Sequence, residues 1–508
     1  MENQTTKEVS AIDKYFGITS SGSSVKKEII AGIITFLAMA YILTVNPTNI
    51  LFAFGGNVAS STVSWASVFM ATAFGAVIGT LLMALFAKMP LAQAPGMGLN
   101  FTVGTILLGA VGGIMFSFGQ AMLLVLISGL IFLLLSVVPC KKDSETGRLI
   151  ALRELIFDGM PEVIRKSITV GIGLFIAFIG LKNASVIIDN PGTFVSLVSF
   201  NTPSAWANGG PACQACVCLF GLLVIAILSH FNVKGSIIIG IIASTILAIP
   251  LGVADINIIA GKGTTEWAFW NNFANFFKLG DESAFLSVFN SGFSGWNGNM
   301  IATSIVLVIT FCMIDMFDTM GTVVGCTTAA GLVDENGKPL NYNKIMISDS
   351  VATAAGALLG TSTVTTFVES ASGIASGGKT GLTALVTAVL FFLAMFIAPV
   401  FEFIPSAACA PALIYVGVLM MQNVVGIDFK NVKNALPAFV TIIMMPLTYS
   451  ITNGIGLGVI TYVVVYGITW IIDLIRNKNE EKPKANISIV LLVVFALFLL
   501  YFLIPTSF

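Results

Sequence analysis

The chain has 508 residues, 56% of them hydrophobic and only 10% charged, against roughly 25% charged in soluble domains. That composition, a mean hydropathy of +0.96 and a net charge of −1 exclude a soluble enzyme and leave no electrostatic footprint for nucleic acid. Apolar runs of about 20 residues recur along nearly the whole length, so the chain is read as an all-α polytopic protein of the lipid bilayer.

The first 25 residues are polar and read as a cytosolic tail without a signal peptide. Fourteen apolar segments follow, at 28–52, 64–88, 91–112, 119–139, 162–183, 212–230, 234–253, 301–330, 343–361, 363–380, 381–403, 408–426, 433–450 and 451–475. They are called segments 1 to 14 below. A further apolar run occupies 487–506, and whether it spans the membrane is left open. With the N-terminus inside, twenty-one of the 24 Lys and Arg residues fall in the cytosol, and only Lys182, Lys262 and Lys278 lie outside. That asymmetry obeys the positive-inside rule.

Seven segments precede the polar stretch 254–300 and seven follow it. An odd number per half inverts the second half in the membrane, and inverted repeats place a transport site near the midplane, where the repeats meet. The expected division is therefore a tail at 1–27, a first repeat at 28–253, an outer loop at 254–300, a second repeat at 301–475, and a basic linker with the apolar run at 476–508.

Segments 3 and 10 occupy corresponding places in the two repeats, and both look broken. Pro95-Gly96-Met97-Gly98 cannot continue a regular helix. Thr363 to Val368 is β-branched and strand-like. Extended backbone at that depth must be buried in protein or line a cavity. Asn100 and Glu369 sit at the two breaks, so the spacing predicts that they face each other across one site.

Asp315 and Asp318 lie in segment 8 and Glu369 in segment 10, each among apolar or small residues. A charge at the bilayer centre costs about 2.5–3.5 kcal/mol on the mildest scales, so such carboxylates point to a ligand, a proton or an ion. Asp315 and Asp318 are three apart and share a helix face. Without a nearby cation the pair cannot both stay charged, so one holds a proton part of the time. The competing readings are structural. Glu369 could merely cap a helix, Asn100 could be a turn residue, and Thr361 to Thr366 could only satisfy extended backbone. Asp349 is expected to make an interfacial salt bridge with Lys344. Tyr41, Asn46 and Pro47 end segment 1 with a kink.

His230 is the single histidine, and Cys213, Cys216 and Cys218 lack a second ligand pair. No metal and no cofactor are expected. No membrane-embedded Lys or Arg appears in the central segments, which disfavours an anion carrier. Carboxylates with an Asn suit a cation, or a neutral planar heterocycle whose adjacent N–H groups one carboxylate can accept.

FLAMAYILTVNP (36–47), APGMGLN (94–100), DMFDTMGT (315–322), TSTVTTFVESASGIASGGKTGLTA (361–384) and TYSITNGIGLG (448–458) resemble the AzgA-like purine permeases of the nucleobase/ascorbate transporter (nucleobase–cation symporter) superfamily. The resemblance covers about residues 15 to 475. It implies a core domain of segments 1–4 and 8–11 and a gate domain of segments 5–7 and 12–14. It also implies proton-coupled import of adenine, guanine or hypoxanthine across the cell membrane. By motif position it assigns purine binding to Asn100, Asp315 and Glu369, and a transport role to Asp318. On the combined reading proton coupling falls to Asp318 and Asp315, with Asp318 the carrier and Asp315 nearer the ligand; the alternatives are Glu369 as carrier or the groups titrating as one unit. The chain departs from the pattern at GLNFTVG, where relatives carry GLNAFF- or GLNAYF-type stretches; Phe101 keeps one aromatic. The alternatives are a uracil or xanthine carrier of the same superfamily and an anion transporter or channel of the same fold. A membrane enzyme would need a nucleophile–base pair, and none is visible. The oligomeric state stays open, a homodimer included.

Overall fold

The computed structural model describes residues 11–51, 63–109, 114–142, 149–190, 192–233, 235–280, 283–335, 338–476 and 487–503. The remaining positions lie outside the described residues; they include the first ten of the tail, the end of segment 3, Lys234, the basic stretch 143–148 and most of the 476–486 linker.

The segments appear in the expected order. Segment 1 is two helices, Val25–Met39 and Ile42–Leu51, interrupted at Ala40 and Tyr41. Segment 2 is Trp65–Leu81, continued by Leu82–Ala87. Segments 4 to 7 are Phe118–Val137, Glu162–Asn183, Pro211–His230 and Ser236–Ala248. Segments 8 and 9 are Gly298–Ala330 and Tyr342–Leu359. Segment 11 begins as Gly381–Ala394 and ends as Ala398–Phe403. Segments 12 to 14 are Ser406–Met421, Val432–Leu447 and Ile451–Arg476. Nine helices among the described residues are long and apolar enough to cross a membrane. The others are short or, like segment 9, polar inside, with Ser348, Asp349, Ser350 and Thr353 all buried. A last helix, Ile489–Leu503, packs on segments 14 and 8.

The helices form two groups. Segments 9 and 11 both pack on segment 2, segment 1 packs on segments 2 and 11, and segment 4 on segment 9. Segment 5 packs on segments 12 and 13, and segments 6 and 7 complete that second group. Basic loops gather on one face: Lys88 donates to Tyr15 O at 3.0 Å, Lys166 to Gly426 O at 2.9 Å, and Lys338 pairs with Glu154 at 3.8 Å. On the opposite face Glu402 accepts from the backbone of Thr264 and Thr265 at 2.7 and 2.8 Å.

Both breaks are present. Gln93–Pro95 and Val364–Thr366 pair antiparallel, with Gln93 opposite Thr366 and Pro95 opposite Val364. Gly96 N donates to Thr363 O at 2.8 Å and Phe367 N to Ala92 O at 3.0 Å, so the ladder continues past both ends. This pairing supplies the bonds that extended backbone needs away from water. Half-helices follow at Met97–Leu107 and Ser370–Ala375. Glycines let the neighbouring helices close over the crossing. A Cβ at Gly79 would stand 2.8 Å from Val364 Cγ1, and one at Gly356 2.7 Å from Val364 Cγ2.

Candidate functional site

A cavity of about 380 Å³ lies where the two helix groups meet, within the ~300–1,000 Å³ typical of small-molecule sites. Gly96 to Leu99 and Thr366 to Glu369 bring both breaks into its wall. Segment 8 contributes Phe317, Asp318, Gly321 and Gly325. Segments 5 and 12, from the other group, contribute Thr169, Ile172, Ile176, Met420 and Asn423. No Lys or Arg is among the described residues of the lining. Gly325 and Asn423 are exposed, so the cavity opens toward the basic face, where Lys166 meets Gly426.

Two of the four candidate side chains reach this cavity. Asp318 is half-buried and Glu369 is 8% exposed, and both line it. The helix-cap alternative for Glu369 fails: the residue occupies the N-cap position of Ser370–Ala375 without a side-chain cap hydrogen bond. Its Oε1 accepts from the Tyr41 hydroxyl at 2.6 Å. The break in segment 1 thus places a donor on the carboxylate, which the kink alone did not reveal.

Asp315 and Asn100 lie behind the wall. Asp315 is 1% exposed and accepts from Thr353 Oγ1 at 2.8 Å. The expectation that Asp315 stands nearer a ligand than Asp318 is therefore not met by the geometry. Asn100 is fully buried, one turn into the half-helix of segment 3, and its carboxamide has no hydrogen-bond partner among the described residues. The two breaks do meet, but only Glu369 of the facing pair lines the cavity.

The salt bridge expected for Asp349 is absent. Asp349 is fully buried, and its carboxylate accepts from Gln93 Nε2 at 2.6 Å, Thr319 Oγ1 at 2.8 Å and Thr366 Oγ1 at 3.1 Å. These donors come from both strands and from segment 8, so one buried carboxylate ties together the elements that carry Asp318 and Glu369. Thr365 and Thr366 of segment 10 belong to the same network, and Thr361 pairs separately. Thr365 shares a hydrogen bond with Thr319 at 2.6 Å, and Thr361 accepts from Asn46 at 2.7 Å. Thr361, Thr365 and Thr366 thus pair with side chains rather than only satisfying backbone. Asp349→Asn replaces one acceptor oxygen by a donor amide facing this set, at a cost of about 1–3 kcal/mol. The expected result is a lower melting temperature in detergent together with weaker ligand binding. Wild-type values for both would show that the carboxylate holds nothing.

An aromatic cluster packs beside the half-helix of segment 3, outside the cavity lining. Phe101 lies 5.4 Å from Phe175 and 5.6 Å from Tyr449. Among the described residues no cluster of His, Cys, Asp and Glu is arranged to hold a metal ion.

Residues 26–457 match the Permease family. The chain is 36% identical over 453 residues to the guanine/hypoxanthine permease PbuO of Bacillus subtilis, covering 89% of this chain and 93% of that protein. It is 33% identical over 468 residues to the adenine permease AdeP of Escherichia coli, covering 92% and 93%. The transmembrane domain of a cyanobacterium bicarbonate transporter, BicA, superposes with a TM-score of 0.58 at 16% identity, over 84% of this chain and 97% of that domain. That likeness is one of fold.

Proposed function

The chain belongs to the Permease family of the nucleobase/ascorbate transporter superfamily, and from that premise we propose that it imports purine nucleobases together with protons. It is a membrane transporter and not an enzyme. The observation that carries the reading is the cavity between the two helix groups, walled by Asp318 and Glu369 with no cation beside them among the described residues. A carboxylate accepts adjacent N–H groups of a planar base, and Phe317 and Phe367 offer ring faces in the same wall. The relatives named for guanine, hypoxanthine and adenine support purines as the substrate class.

In this reading Glu369 pairs with the base. Asp318 faces the water of the cavity and carries the proton, because two carboxylates in a poorly solvated wall favour holding at least one proton between them. Asp315 and Asn100 support the site from behind, Asp315 through Thr353 and Asn100 through the half-helix that follows Gly96. The first group is the core and the second the gate, and transport proceeds by movement of one against the other. The protein is multi-pass in the cell membrane. The basic face and the N-terminus are cytosolic, which makes this conformation inward-facing.

Uptake of radiolabelled adenine, guanine, hypoxanthine, xanthine and uracil in a host lacking purine transport tests the substrate class. Saturable uptake of at least one of the first three is expected. In a background without native cysteines, Gly325→Cys, whose Cβ would meet nothing within 4 Å, should be labelled from the cytosolic side and protected by the transported base. Uptake confined to uracil or xanthine would overturn the assignment.

A further inference from the structure

Four aromatic rings stand between the cavity and the outer loops. Phe101 sits one turn past the cavity-lining Met97 and Gly98, on the half-helix of segment 3. Phe175 and Phe178 flank Ile176, the lining residue of segment 5 farthest from the basic face. Tyr449 occupies the turn between segments 13 and 14, with centroids 5.8 Å from Phe175 and 5.7 Å from Phe178. Phe101 and Phe175 are 0% and 1% exposed, while Phe178 and Tyr449 are half-buried.

Only Phe101 lies on the core side, on the half-helix of segment 3 that packs on segment 1; the other three rings lie on segment 5 and the turn after segment 13, on the gate side. We propose that this cluster is the outer gate of the transport path, that it opens along the seam between Phe101 and the Phe175–Tyr449 pair, and that Lys182 holds Tyr449 in the closing position. The proposal rests on the alternating-access reading above and names the residues that seal its outer side.

The Tyr449 geometry supports a fixed latch. Its φ is +55°, a left-handed conformation that a bulky residue rarely adopts. Such a residue persists where its surroundings over-determine it. Here the turn is closed by Ser450 N donating to Met445 O at 3.1 Å. Lys182 Nζ lies 5.0 Å from the ring centroid, within cation–π range, and 3.1 Å from Asp189 Oδ1. Asp189 thereby fixes the ammonium over the ring. Lys182, Phe178 and Tyr449 move together on the gate, so opening separates Phe101 alone from the cluster and leaves the latch assembled for reclosure.

The test uses the full chain, reconstituted, with Gly321→Cys as a reporter in a background without native cysteines. Gly321 lines the cavity and its Cβ would meet nothing within 4 Å. An impermeant thiol reagent applied outside should label the reporter slowly when the cluster is intact. Phe101→Ala and Tyr449→Ala should each speed outside labelling roughly tenfold, because either change removes a ring–ring attraction that holds the closed state together. Lys182→Met should act in the same direction and more weakly. Inside labelling should stay fast in every variant, which also confirms folding. Outside labelling unchanged in both Phe101→Ala and Tyr449→Ala, with normal inside labelling, would overturn the gate. The readout needs no substrate, so a chain that transports some base other than a purine would refute the substrate assignment and leave this result interpretable.

Discussion

Glu369→Gln is expected to weaken purine binding by roughly 10- to 150-fold, the equivalent of about 1.5–3 kcal/mol for one charged hydrogen bond. The substitution preserves size but turns half of the group into a donor. An amide facing purine N–H groups can accept from only one of them, and its NH2 opposes the other. The same change disturbs the bond from Tyr41, whose hydroxyl donates to Oε1 at 2.6 Å. Ser376→Ala is the control: its hydroxyl bonds Ser372 O at 2.8 Å and is not part of the cavity wall. Equilibrium binding of labelled purine to purified protein reads the effect. Unchanged affinity in a folded Glu369→Gln protein would remove this carboxylate from the binding site.

Asp318→Asn should separate binding from coupling. The asparagine mimics a permanently protonated aspartate, so the site no longer exchanges a proton with the water that reaches it. Purine binding and exchange down a gradient are expected to survive, while accumulation against a gradient is lost. Asp315→Asn should behave differently from the pattern its motif position implies. Its carboxylate accepts from Thr353, whose Oγ1 is also 3.2 Å from Val364 O in the strand, so the variant loosens the wall from behind and weakens binding through position.

Much of this architecture is readable from residue patterns. Apolar run lengths mark the segments, and the confinement of all but three basic residues to one side marks the faces. Pro95-Gly96 and the threonine run reveal the breaks because the first interrupts a regular helix and the second favours extended backbone. The rotation of each helix is not readable. The spacing of Asp315 and Asp318 puts them on one face, but Thr353 of segment 9 captures the first while the second reaches the cavity. The bridge expected between Asp349 and Lys344 fails because closeness in sequence is not closeness on a helix. Five residues is about one and a half turns, which puts the two side chains on different sides. The Lys344 ammonium lies 6.0 Å from the Phe86 ring, and Asp349 points inward to Gln93. Tyr41 and Glu369 are 328 residues apart, and no local pattern could pair them. Phe101 stands out in the sequence only as the surviving aromatic of a motif, and nothing local pairs it with Phe175 of segment 5 or with Tyr449 of the TYSITNGIGLG motif.

The central claim is proton-driven purine import through a carboxylate-walled cavity. Its most direct test is purine uptake into proteoliposomes under an imposed inward proton gradient, with and without a protonophore. The account predicts that adenine, guanine or hypoxanthine accumulates above the outside concentration, that the protonophore abolishes accumulation, and that Asp318→Asn equilibrates without accumulating. Accumulation that survives the protonophore and requires sodium would contradict it and make the Asp318 and Glu369 wall a sodium-dependent site.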